Sequence, residues 1–338
     1  MTAASLTAFK TKLAAHLAEL HELDERNQKK ELKATFWQQN DDFTVAREVL
    51  IASSGTIGHE VTKFSLVFSK KPSKEEAASI CHTLDGPCEQ MLSATKVALY
   101  CGAGSALGHD IIHGAMRVLK GMHSLSEIIE SEELSRVPEL TGRVWESCNS
   151  VLNTPKSNCV ATKRSMLQCI TMLNDTINEL KQFLTEQEEE ESLDDVEQDD
   201  EFAFDSNLSP EERALFEGNV KLLDMVAAIL KRGVLALKKL DANEDSDALI
   251  AWTCDLHRAY AAIQNSIVEA GAALYPPIDE DELSEQVNAL ETAAASILAC
   301  LADQPEITDA DSQAIEAGRA AFNSQMATVK AQIEVSRT

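Results

Sequence analysis

Residues 220–240 read VKLLDMVAAILKRGVLALKKL. Val220, Leu223, Ala227, Leu230, Val234, Leu237 and Leu240 recur at steps of three and four. That is the period of one face of an α-helix and not of a strand. Toward the C-terminus, Phe322, Met326, Val329 and Ile333 repeat it. Toward the N-terminus, Leu6, Phe9, Leu13, Leu17, Leu20 and Leu23 form a leucine-rich stripe, and Phe36, Phe43, Leu50, Ile57 and Phe64 fall at intervals of seven. Read as one element, 35–68 is a helix of roughly 50 Å, with Gly55 and Gly58 as weak points. Aromatics are only 5% of the 338 residues and glycines number 13, which disfavours sandwiches, barrels and Gly-rich nucleotide folds.

Start and stop signals agree with the stripes. Ser209-Pro210-Glu211-Glu212 offers an N-cap hydroxyl, a proline at the first helical position and an acid at the third. Ser73 with Glu76, Asp279 with Glu282, and Thr308 with Asp311 repeat that logic. Pro72, Pro155, Pro276-Pro277 and Pro305 mark breaks. Helices are expected near 210–241, 246–273, 279–302 and 309–335, with five or six more before residue 186.

Between the two groups lies 186–201, EQEEEESLDDVEQDDE, in which 11 of 16 residues are acidic. Like charges this dense repel and bury no face, so 186–207 is expected as an acidic disordered linker. The predicted architecture is all-α: an N-terminal helical bundle over 1–185 and a C-terminal bundle over 208–338, both antiparallel. Ser192 and Thr185, each followed by acids, are candidate phosphorylation sites for an acid-directed kinase.

The formal charge of −26 argues against nucleic acid and anionic membranes as partners. No apolar run is long enough to span a membrane. Eight scattered cysteines and no signal-peptide pattern predict reduced thiols in cytosol or nucleus.

Candidate chemistry is sparse. His109 and His113 share a helix face and, with His123 or a nearby cysteine, have zinc-ligand character. The intervening Asp110-Ile111-Ile112 lacks the metalloprotease glutamate, and Cys81 and Cys88 have no finger spacing, so half-buried helix histidines are the expected reading. A metal-dependent enzyme on His109 and His113 is the remote rival, requiring stoichiometric zinc. The run Gly102 to Gly108 (GAGSALG) follows a helical stretch and has no Lys-Ser/Thr pair, so a helix–helix turn is expected in place of a phosphate loop. No nucleophile elbow is present. No catalytic residue, metal or cofactor is expected. The Leu6–Leu23 stripe is read as bundle core in preference to a partner seam, and Trp37, Trp145 and Trp252 as core or half-buried residues.

Three islands carry a family resemblance. Phe36-Trp37 opens a long helix; EVTKFSLVFSKKP at 60–72 resembles a helix end of the form E-A-T-x-L-x-x-V-F-S-x-x-P; and Leu274-Tyr275-Pro276-Pro277 matches an L-Y-P-P break between C-terminal helices. In this order they resemble the cyclin-D-binding protein family, also called GCIP or DIP. The stretch between Phe36-Trp37 and the Val67-Phe68-Ser69 end is longer than in the family, carrying an extra run around Ile51–Gly58. The resemblance implies a non-enzymatic interaction protein, cytoplasmic and nuclear, whose partners are D-type cyclins, adaptor proteins and helix-loop-helix regulators. It implies negative regulation of cell-cycle progression and transcription. The bundles are also similar to those of talin and vinculin-type adhesion proteins, which leaves a cytoskeletal scaffold as the alternative.

Overall fold

A computed structural model describes residues 3–29, 42–193, 208–240 and 247–337. Among them are ten α-helices, one 3-10 turn and no strand: α1 (Ala3–Gln28), α2 (Asp42–Ser69), α3 (Lys74–Tyr100), α4 (Ser105–Glu130), α5 (Val137–Val151), α6 (Asn158–Leu193), α7 (Pro210–Leu240), α8 (Asp247–Ala272), α9 (Glu280–Ala302) and α10 (Asp309–Ser336). The all-helical reading holds. Phe36 and Trp37 lie outside the described residues.

The helices fall into two compact units. The first holds α1–α5, the first turn of α6 to Ala161 and the start of α8 to Ile250; the second holds α6 from Thr162, α7, the rest of α8, α9 and α10. The boundary therefore lies within α6 and not at residue 185. The apolar stripe Met166, Cys169, Leu173, Ile177 and Leu180 is buried and α6 packs with the C-terminal helices. The dense charge that begins at 186 had drawn the expected boundary past a helix already committed to the other bundle. That charge does not stop the helix at once either. Helix α6 runs on to Leu193, because glutamate is a good helix former and propagation from a packed segment is easy. Residues 194–207 lie outside the described residues.

In the first unit the helices alternate up and down. Thr7 and Lys10 meet Glu130, while Asn27 meets Ser105, so α1 and α4 are antiparallel. Ser54 meets Cys148 and Ser65 meets Thr141, so α2 and α5 are too. The sequence stripes form the core: Phe43, Leu50, Ile57 and Phe64 are buried on α2, and Leu6, Phe9, Leu13, Leu20 and Leu23 on α1, with Leu17 half-buried against them. The leucine stripe is thus occupied by its own bundle. Helix α2 begins at Asp42 and runs unbroken through Gly55 and Gly58; Gly58 admits α5, since a Cβ there would sit 3.2 Å from Cys148 Cβ.

The second unit alternates likewise. Lys181 meets Asp224 across α6 and α7, Trp252 Nε1–H donates to the Cys300 carbonyl at 2.7 Å across α8 and α9, and Lys330 meets Glu291 across α9 and α10. Gly233 lets α7 approach α8: a Cβ there would overlap the hydroxyl of buried Tyr260, which donates to the Leu230 carbonyl. The four capping signals are all realised. Ser73 and Glu76 form a reciprocal box, as do Ser209 and Glu212. Asp279 accepts from the backbone N–H of Asp281 and Glu282, and Thr308 from that of Asp311.

Asp311 also ties α10 to α7. Its carboxylate accepts from Lys239 at 2.8 Å, Arg232 at 2.5 Å and the Thr308 hydroxyl at 2.6 Å. The hydrogen bond from Lys239, then that from Thr308, hold its pKa down at about 2, below the ordinary 3.8. A carboxyl depressed in the folded state stabilises above its unfolded pKa, and that stabilisation is lost as pH falls through the folded value. Asp311→Asn should therefore lower the urea midpoint at neutral pH. It should also flatten the loss of stability between pH of about 4 and 2 relative to the parent chain. Parallel curves for the two proteins across that window would refute the assignment.

Candidate interaction surface

The heptad that buries one face of α2 turns the opposite face outward. Val45 and Val49 stand exposed there, and Leu66 lies further along. Grooves shared with neighbouring helices, of mixed polar and apolar lining, flank this face on both sides. Toward α3, Val45, Val49, Gln90 and Val97 line a groove of about 460 Å³. Toward α5, Gly58, His59, Trp145, Cys148 and Leu152 line a second groove of about 550 Å³. Trp145 is 57% exposed, which corrects the expectation of a core or half-buried ring. The buried positions of α5 are Val137, Leu140, Val144, Cys148 and Val151. Trp145 follows Val144 and is rotated about 100° off that stripe. Trp252, by contrast, is buried. The groove also takes in Ser54, Thr62, Lys63 and Asn149, and an exposed tryptophan ringed by polar groups is the composition of a protein-docking surface.

The other candidate residues are placed as follows. The GAGSALG run is the α3–α4 turn, as expected. Gly102 has φ of 102°, a conformation suited to glycine. Asn158 clamps the turn before α4: the Gly104 N–H donates to Asn158 Oδ1 at 2.6 Å, and Asn158 Nδ2 donates to the Gly102 carbonyl at 3.0 Å. Asn27 Nδ2 donates to the Ser105 carbonyl at 3.2 Å. The Asn158 carboxamide thus takes the Gly104 N–H that a phosphate would need.

His109 and His113 share a face of α4, with ring centroids 4.0 Å apart. Burial, then the neighbouring His113, push the His109 pKa down. His123 is not part of the group and faces Glu127, 3.5 Å away. Asp24 of α1 is, its Oδ2 lying 3.3 Å from His113 Nε2. Spacing within α4 gave the histidine pair; nothing local announced Asp24, which the α1–α4 packing supplies. Cys81, Cys148 and Cys169 have thiols raised to about 11 by burial, and Cys88 is raised further. Thiols held protonated in this way are poor nucleophiles.

Thr185 is exposed on α6, its hydroxyl donating to the Lys181 carbonyl at 3.0 Å. Ser192 belongs to the final turn of α6, and its side chain lies outside the described residues.

Comparison with known proteins bears on this surface. Residues 49–186 match the family described as Grap2 and cyclin-D-interacting, N-terminal. Over these residues the chain is similar to the Grap2 and cyclin-D-interacting family. The family region takes in most of α2, all of α3 to α5 and α6 as far as Glu186, and with them both grooves apart from the Val45 end. Beyond the family region, the chain is similar to the cyclin-D1-binding protein 1 homolog of Danio rerio, 26% identical over 267 residues, 74% of this chain and 75% of the relative. It is likewise similar to the cyclin-D1-binding protein 1 homolog of Xenopus laevis, 26% identical over 280 residues, 77% of this chain and 83% of the relative. The names of these relatives describe binding and not a reaction.

Proposed function

We propose that this chain is a non-enzymatic interaction protein that binds D-type cyclins or helix-loop-helix regulators and holds them away from their own partners. By sequestration it would act as a negative regulator of cell-cycle progression and transcription, in cytoplasm and nucleus. The observation that carries this reading is likeness to two cyclin-D1-binding relatives across about three quarters of their length and of this chain. The grooves of α2 with α3 and with α5, beside exposed Trp145, offer a seat for an amphipathic partner segment. The charge of −26 speeds encounter with basic partner surfaces.

Pull-down from native cells with the full chain tests the reading. Selective recovery of a D-type cyclin or a helix-loop-helix protein supports it. Two successive up-and-down five-helix units also favour a second reading, a cytoskeletal or adhesion scaffold. Co-sedimentation with actin filaments and no cyclin recovery would establish that one in its place.

An acid-directed kinase is proposed to modify Thr185 and Ser192. Phosphate there adds charge to a helix end already dense in glutamate, which repels and loosens it. Intact mass of the native protein should show added phosphate mapping to 180–210; unmodified mass throughout that segment refutes this.

A further inference from the structure

Asp24, His109 and His113 each present a ligand atom, and these atoms all lie within 4.8 Å of one another. Two elements build the group. His109 and His113 are one turn apart on α4, so both imidazoles leave the same face. The antiparallel packing of α1 on α4 then brings the Asp24 carboxylate against them. Asp24 Oδ1 and His113 Nε2 are both buried and have no hydrogen-bond partner. His113 Nε2 faces the other carboxylate oxygen, Oδ2, at 3.3 Å without an aligned hydrogen bond; a buried polar atom without a partner is costly and rare, and one on each of two neighbouring side chains calls for an explanation. A carboxylate oxygen and an imidazole nitrogen are both metal donors, so a cation would satisfy both at once.

We propose that Asp24, His109 and His113 form a divalent-cation site that takes Zn²⁺. Two nitrogens and one carboxylate oxygen suit zinc, which is four-coordinate in proteins. Bonds of about 2.0–2.1 Å in a tetrahedron put donor atoms about 3.3 Å apart. The Asp24–His113 pair already stands at 3.3 Å, and a His109 nitrogen lies within 4.8 Å of both. The fourth position is left to water. Of the other charges near His109, Asp110 is negative and Arg117 positive, so neither sign dominates the approach. The ion would staple the C-terminal half of α1 to the start of α4. Zinc thus enters as a link between two helices that keeps one position open to water, and the site goes beyond the interaction role proposed above.

The test uses the full chain, dialysed against chelator and titrated with ZnCl₂ by calorimetry and with CoCl₂ by visible absorption. The expected result is one saturable equivalent of zinc and cobalt bands of tetrahedral intensity. Asp24→Asn and His113→Ala should each weaken binding tenfold or more, whereas Cys81→Ser should leave it unchanged. Zinc should raise the thermal midpoint of the parent chain and not that of His113→Ala. Should His113→Ala lose its helical circular dichroism, His109→Gln takes its place. No saturable binding, or binding that Asp24→Asn and the histidine variant leave intact, overturns the proposal.

Discussion

Phe64→Ala is expected to cost the first unit about 3–5 kcal/mol, the range for deleting a buried aromatic ring. Phe64 is fully buried on α2, its ring centroid 5.9 Å from Phe9 of α1 and 4.9 Å from Phe68. Alanine would remove the ring, its tilted contacts and the apolar burial together, and helices fixed by other side chains would collapse little into the space. Urea unfolding should show a lowered first transition. Because the two units have separate cores, a transition that belongs to the second unit should keep its midpoint. A loss under about 1 kcal/mol would mean that the heptad on α2 is not the centre of this bundle.

Trp145→Ala is expected to leave folding nearly unchanged and to weaken partner binding at least about thirtyfold. The first half follows from exposure: substitutions away from the core shift stability by about ±0.5 kcal/mol. The second follows from the energetics of interfaces, in which a central tryptophan is commonly worth about 2 kcal/mol or more. Trp145 stands over the groove between α2 and α5, where Gly58 contributes no side chain to screen it. The comparison needs a D-type cyclin as probe, with affinity and thermal midpoint measured on the same preparations. Equal affinity for the parent and Trp145→Ala would move the docking surface elsewhere.

Much of the fold was legible because helices announce themselves locally. The heptad positions from Phe43 to Phe64 are buried, as is the stripe from Val220 to Leu240 apart from half-buried Val234, and the caps at Ser73, Ser209, Asp279 and Thr308 sit where short-range chemistry put them. What periodicity does not carry is which neighbour a stripe will face. Helix α6 has an apolar stripe that fits either bundle on pattern alone, and the charge run after it suggested the wrong side. Trp145 was misplaced for a related reason: residue type argued for burial, while its position beside Val144 turned it outward. The histidine pair on α4 was visible as an i, i+4 spacing. Its third member was not, because Asp24 belongs to another helix and arrives only through packing.

The central proposal is that this helical chain works by contact with a D-type cyclin and not by chemistry. Calorimetric titration of the purified full chain with a purified D-type cyclin tests it most directly. The account predicts saturable heat at one chain per cyclin. No detectable binding by a chain whose circular dichroism is fully helical would contradict it.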